Sequence, residues 1–169
     1  MNNKVITIFG AGFIGKSLIF KLLQNGYFIN VVCRNPYLKG NLRSMGNVGQ
    51  LEINYGDITK SNTIESYFER SDYIINLVGV LAENSKNKYS ETHVLGPQNI
   101  GSLAKKYNIS RLVHISSIGA DKKSNIKYQK TKGEGEIAIK ENYKDVNIIR
   151  PSIVFGPDDG FFNVQAKLL

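Results

Sequence analysis

The 169-residue chain has one cysteine, Cys33, so no disulfide forms within it and a reducing compartment suits it. Cys33 lies inside an apolar run, which marks a buried, inert thiol rather than a nucleophile. No apolar stretch approaches the roughly 20 residues needed to span a bilayer, and no signal-peptide pattern precedes the first apolar run. The sequence therefore reads as soluble and cytoplasmic. Acidic residues are also few, 14 against 22 lysines and arginines, for a formal charge of +8. The basic residues are scattered. The densest pairs, Lys105-Lys106 and Lys122-Lys123, fall short of the basic stripe with interleaved aromatics that nucleic acid demands. Nucleic acid is excluded as a partner, whereas an anionic membrane surface or an acidic partner stays open. No repeat or low-complexity linker divides the chain, which is long enough for one domain with a sizeable core.

The rest is organised around Gly10-Ala11-Gly12-Phe13-Ile14-Gly15. The run before it, Val5 to Phe9, is β-branched and apolar and reads as a buried parallel strand. After it, Leu18, Ile19, Leu22 and Leu23 recur at helical spacing until Asn25-Gly26. Strand, glycine turn and helix in that order form a phosphate-binding element. Gly10 allows the tight turn, Gly12 lets the backbone approach a pyrophosphate, and Gly15 lets helix and strand pack closely. The free N–H groups of the helix N-terminus, including those of Phe13 and Ile14, attract the phosphates.

A second strand, Phe28 to Cys33, ends about 20 positions after the glycines, where an Asp or Glu would bind the 2′-hydroxyl of NAD. Arg34-Asn35 stands there, with no carboxylate nearby. An arginine suits a 2′-phosphate instead, with Lys39 or Arg43 assisting, so NADP(H) is favoured over NAD(H). The alternative is a solvent-facing arginine at a strand end. Residues 36–50 read as a short helix and loops, and Leu51 to Tyr55 as the third strand, ended by Gly56-Asp57-Ile58. Residues 61–70 read as a helix and 73–78 as the fourth strand, leading into Gly79. Residues 86–107 are expected to be mostly helical, bent at Gly96-Pro97. Residues 111–115 form a fifth strand ending at Ser116-Ser117, residues 126–143 a helix, and residues 146–150 a sixth strand ending at Pro151-Ser152. This alternation implies an α/β, Rossmann-type, doubly wound parallel sheet with helices on both faces. Ligands of such sheets sit beyond the carboxyl ends of the strands, where Gly12, Arg34, Asp57, Gly79, Ser117 and Pro151 all fall.

Tyr128-Gln129-Lys130-Thr131-Lys132 sets Tyr128 and Lys132 four apart, on one helix face. A cationic lysine beside a phenol favours the phenolate and brings it toward a useful acid–base range. Ser117 could hydrogen-bond the substrate oxygen that exchanges a proton with Tyr128. The three suit hydride transfer between a nicotinamide and a carbonyl or alcohol carbon. His114, in a strand between Val113 and Ile115, reads as structural. Asp158-Asp159 reads as a solvated loop rather than a metal pair.

These motifs resemble the extended short-chain dehydrogenase/reductase superfamily. Its atypical branch, which contains the nucleotide-binding accessory subunit of respiratory complex I and bacterial relatives, is the most similar. The match is carried by Gly10 to Gly15, Gly56-Asp57-Ile58, Asn76-Leu77-Val78-Gly79 and His93-Val94-Leu95-Gly96. Further along come His114-Ile115-Ser116-Ser117-Ile118-Gly119-Ala120-Asp121, Tyr128 to Glu136 with its Lys132-Gly133-Glu134-Gly135-Glu136 run, and Arg150-Pro151-Ser152-Ile153-Val154-Phe155-Gly156-Pro157. By that resemblance Asp57 and Ile58 flank the adenine, Val78 and Gly79 the adjoining ribose, and Pro151, Ser152 and Ile153 the nicotinamide. Lys132 would also hold the nicotinamide ribose. Two positions depart from the wider superfamily: Phe9 replaces a first glycine, and His93 replaces an Asn that helps hold a proton-relay water. A hydrogen-bonded structural histidine and a catalytic one both fit His93.

The resemblance implies a dinucleotide-binding domain over residues 1–157 and the start of a C-terminal substrate-binding lobe over 158–169. It implies NADP(H)-linked reductase or epimerase-like chemistry on a small molecule. The alternatives are a structural or assembly subunit of a respiratory complex, peripheral to the inner membrane, that holds the dinucleotide without turnover, or a dinucleotide sensor.

Overall fold

A computed structural model describes residues 4–85, 87–156 and 159. Six strands form one wholly parallel sheet: β1 (Val5–Phe9), β2 (Phe28–Cys33), β3 (Leu51–Tyr55), β4 (Tyr73–Asn76), β5 (Arg111–Ile115) and β6 (Asn147–Ile149). Their order is β3-β2-β1-β4-β5-β6. β1 pairs with β2 on one side and β4 on the other, Ile8 facing Val31 and Ile75. The strand order therefore reverses beside β1, and at such a switch point the loops part to leave a crevice.

Side-chain alternation along the strands builds two cores, one on each face. Ile6 and Ile8 of β1, with Ile29 and Val31 of β2, pack against Ile19 and Leu23 of α1 (Phe13–Gln24) and against Leu42. Phe9, Val32, Ile74 and Leu112 point the other way. They meet Phe68 of α2 (Glu65–Phe68), Ile100, Leu103 and Ala104 of α3 (Gly96–Lys106), and Ile139 of α4 (Lys127–Asn142). This is the doubly wound Rossmann-type architecture.

Four strands begin and end where their apolar runs do, but several other boundaries move. The helix expected over 61–70 is split into a 3-10 turn, Ser61–Thr63, and the single turn of α2. Thr63 causes the break. Its Oγ1 accepts from Asp57 N at 3.0 Å and lies 2.8 Å from Lys60 O, binding the segment to the loop below. β4 stops at Asn76 rather than 78 because the Asn76 Oδ1 accepts the Val78 amide, turning the chain out of the sheet. β6 is likewise shorter than expected. Residues 86–107 are helical only from Ser90: a π-helical segment, Ser90–Leu95, runs into α3. The change falls at Gly96-Pro97, where Pro97 has no N–H to give the His93 carbonyl four residues back. Asp159 is buried, with its Oδ2 accepting from Gly156 N, which corrects the solvated-loop expectation. Its neighbour Asp158, like Pro157 and residues 160–169, lies outside the described residues.

Candidate functional site

The crevice at the switch point has two parts. A narrower cleft of about 310 Å³ lies beyond β1, β2 and β3, and a broader one of about 760 Å³ lies beyond β4, β5 and β6. Leu77, Val78 and Gly79 line both.

At the floor of the narrower cleft, Gly10 turns the chain at φ +101°, a backbone region that favours glycine. Its amide donates to Val32 O, locking the turn to β2. Gly15 of α1 packs directly on this turn: a Cβ there would stand 2.6 Å from Gly10 O. Gly12, in contrast, faces open space, with no atom within 4 Å of where its Cβ would be. No side chain caps α1 and no acid occupies its first turn. These uncapped donors beside an open glycine fit a dinucleotide pyrophosphate. Arg34 and Asn35 are exposed on the rim with Lys39, while Asp57 and Ile58 form the far wall. Asp57 is occupied by its own loop, its Oδ1 accepting from Thr59 N at 3.0 Å and Thr59 Oγ1 at 2.9 Å. Cys33 is half-buried rather than buried and lines this cleft. Desolvation pushes its thiol above the ordinary range, which fits an inert thiol.

The broader cleft gathers Phe13, Ile14, Ser117, Tyr128, Lys132, Pro151, Ser152 and Ile153. Gly15, Arg43 and His93 aside, every candidate residue thus lines one part of the crevice; Arg43 lies apart, beside residues 46–49 and β3. Ser116 Oγ and Ser117 Oγ, both in this cleft, are buried without a hydrogen-bond partner among the described residues. A buried hydroxyl left unmet costs about 1–3 kcal/mol, so a hydrogen-bonding group in the cleft would be favourable to both. Lys132 is buried and its Nζ donates to Ile115 O at 3.0 Å, leaving two further N–H donors. Burial lowers its pKa to about 8 despite the nearby Glu136 carboxylate.

The helix bearing Tyr128 and Lys132 is fixed by its glycines. A Cβ on Gly135 would fall on His93 O, at 1.8 Å, and one on Gly133 would strike the Asp121-Lys122 backbone. The Lys-Gly-Glu-Gly-Glu run is thus the groove that seats α4 on the π-helical segment. His93 and His114 are both buried. His114 Nδ1 lies 3.0 Å from Asn76 Nδ2, a structural contact as expected. His93 bonds Val80 N and Thr131 Oγ1. The role of Thr131 escaped the sequence reading, and Asn76 entered it only as part of the Asn76-Leu77-Val78-Gly79 run. The only signal for Thr131 was a polar residue at helical spacing from Tyr128, and nothing local distinguishes it from a surface residue.

Residues 6–163 match the family model described as the NAD dependent epimerase/dehydratase family. The chain belongs to this family. Among curated relatives of this epimerase/dehydratase chain, the mitochondrial NADH-ubiquinone oxidoreductase 40 kDa subunit of Neurospora crassa is 29% identical over 163 residues, 96% of this chain and 44% of that protein. The mitochondrial NADH dehydrogenase [ubiquinone] 1 alpha subcomplex subunit 9 of Rattus norvegicus is 32% identical over 161 residues, 94% and 43%. The chain thus spans less than half the length of these relatives. UDP-glucuronic acid 4-epimerase from Bacillus cereus, solved in complex with NAD, shares the fold with a TM-score of 0.77 at 22% identity, over 92% of this chain and 58% of that one. The expected extended dehydrogenase/reductase relationship is thereby established, together with its link to complex I subunits.

Proposed function

We propose that this epimerase/dehydratase-family chain binds NADP(H) and supports hydride-transfer chemistry of the reductase or epimerase type through Ser117, Tyr128 and Lys132. The dinucleotide, when bound, supplies or accepts the hydride. Ser117 donates a hydrogen bond to the substrate oxygen, and Tyr128 exchanges a proton with that oxygen. Lys132 holds the nicotinamide ribose with its spare donors and places positive charge beside the phenol. The uncapped α1 terminus with Gly10 and Gly12 takes the pyrophosphate. Asp57 and Ile58 flank the adenine, Val78 and Gly79 its ribose, and Pro151, Ser152 and Ile153 the nicotinamide. Arg34 and Asn35, with no carboxylate beside them, take the 2′-phosphate. The observation carrying this reading is that Ser117, Tyr128 and the buried Lys132 line one cleft.

A second reading is favoured by the names of the relatives, which are subunits of a respiratory complex. In it the chain holds the dinucleotide as a structural or assembly subunit, or as a sensor, at the inner membrane through that partner. No helix among the described residues is long and apolar enough to cross a membrane. In both readings residues 1–157 form the dinucleotide-binding domain and residues 158–169 open a substrate lobe.

The deciding experiment is titration of the protein with NADPH and NADH, followed by nicotinamide fluorescence and thermal shift, for wild type and Tyr128→Phe. Tight NADPH binding in both proteins, with oxidation by added carbonyl compounds only in wild type, supports the enzyme. Tight binding that persists against every acceptor supports the structural subunit. Binding of neither nucleotide overturns both.

A further inference from the structure

His93 is 2% exposed and lies on the π-helical segment beside the candidate acid–base group. Its Nε2 is 3.1 Å from the Val80 amide. A backbone N–H only donates, so Nε2 must present a lone pair. A neutral imidazole then carries its proton on Nδ1, which lies 3.1 Å from Thr131 Oγ1. The Thr131 hydroxyl is itself placed to donate to Lys127 O at 2.9 Å or Tyr128 O at 3.1 Å, so its oxygen is the acceptor for Nδ1–H. One tautomer satisfies every group in this chain, and it runs in one direction, from the Val80 amide to the first turn of α4.

The ring faces of His93 are also committed. One aromatic neighbour, Tyr89, stacks at 4.9 Å between centroids, and Tyr128 meets the imidazole edge-on at 5.5 Å and 88°. Tyr89 in turn donates its hydroxyl to Leu81 O at 2.6 Å. Val80 and Leu81, both in the wall of the broader cleft, are therefore tied down by His93 and its stacking partner.

We propose that His93 is the positioning residue of this site, a neutral Nδ1–H imidazole that locks the Val80-Leu81 wall to the helical turn carrying Tyr128 and sets the Tyr128 ring without exchanging a proton itself. The significance of that ring rests on the acid–base role proposed for Tyr128 above. Protonating Nε2 would break the bond from Val80 and strand a cation against the Lys132 ammonium. Burial first and Lys132 second hold the His93 pKa down to about 4, with the Val80 backbone contact and then Glu83 opposing. His114 provides an internal contrast. Asn76 Oδ1 accepts from Val78 N, which turns the Asn76 amide N–H toward His114 Nδ1. His114 must therefore be the opposite, Nε2–H, tautomer.

The chain has two histidines, so ¹⁵N spectra of imidazole-labelled protein resolve both, with His93→Gln giving the assignment. The expected result is a neutral Nδ1–H pattern for His93 and a neutral Nε2–H pattern for His114, unchanged from pH 8 to 5. A His93 proton on Nε2, or imidazolium near pH 6, overturns the neutral clamp. The second readout is the ¹³Cζ resonance of Tyr128, assigned with Tyr128→Phe. Thr131→Val removes the Nδ1–H acceptor and leaves both rings in place. It should move the Tyr128 resonance at neutral pH, because the helical turn that sets the ring is released from the imidazole. His93→Gln should do the same. A Tyr128 resonance unchanged in both variants, even with a lowered melting temperature, reduces His93 to a packing residue. Neither readout uses a dinucleotide, so a failure to bind NADPH or NADH bears only on the function proposed above.

Discussion

Arg150, just past the end of β6, grips Glu136 of α4 with two hydrogen bonds, Nε to Oε1 at 2.8 Å and Nη2 to Oε2 at 2.5 Å. The carboxylate is nearly buried and the arginine half-exposed. The pair ties the last strand to the helix that carries Tyr128 and Lys132. Glu136→Gln should cost about 1–3 kcal/mol, since one charged contact becomes neutral and one acceptor is lost. Thermal melts of Glu136→Gln, Arg150→Met and the double variant check this. Full additivity of the two losses would show that the contact is not shared.

Gly12 and Gly15 separate binding from folding. An alanine at Gly15 meets Gly10 O at 2.6 Å and must push α1 off its strand. It should lower stability by about 1–3 kcal/mol. An alanine at Gly12 meets nothing, so the melting temperature should hold while its methyl fills the space a pyrophosphate needs. Equal melting temperatures for both variants would contradict the packing described.

Arg34 decides between the two dinucleotides in the proposed site. Arg34→Glu should weaken NADPH by roughly ten- to hundredfold, the value of a charge-assisted contact to phosphate replaced by repulsion, and leave NADH within a few-fold. The two dissociation constants measured by fluorescence titration suffice. Equal loss for both nucleotides removes the 2′-phosphate assignment.

The buried histidines make the fold acid-sensitive. Desolvation, with Lys132, lowers His93 to about 4 and His114 to about 3, from 6.5. An unfolded chain binds these two protons near pH 6.5, and the folded chain resists them until far lower. Stability is therefore fully present above pH 6.5 and falls as pH drops toward 4, with a slope approaching two protons from this source. Denaturant melts between pH 7 and 4 report the slope. Removing one site with His93→Gln should reduce it by about one proton.

The strand ends were legible in the sequence because buried parallel strands are unbroken apolar runs bounded by polar or glycine residues. β1, β2, β3 and β5 begin and end where those runs do. The glycine turn was legible for a similar local reason, and most of the candidate residues meet in the crevice. Residues 61–70 were misread because Thr63 is recruited by Asp57, a partner outside the helical pattern. The π-helical segment was missed because its wide turn is stabilised against α4, at the Gly135 contact with His93 O.

Periods of two and 3.6 residues are properties of the local chain, so the sequence alone determined the alternation of strands and helices and the placing of its motifs at strand ends. Which strands are neighbours depends on side chains far apart in the chain. Only the tertiary structure decided that β4 lies beside β1, and thus that the Gly10 turn and the Ser117–Tyr128–Lys132 group open into one crevice. The same holds for the tautomer of His93. Its partners, Val80 and Thr131, lie 13 and 38 residues away, and a hydrogen bond exists only where packing delivers donor and acceptor to the same point.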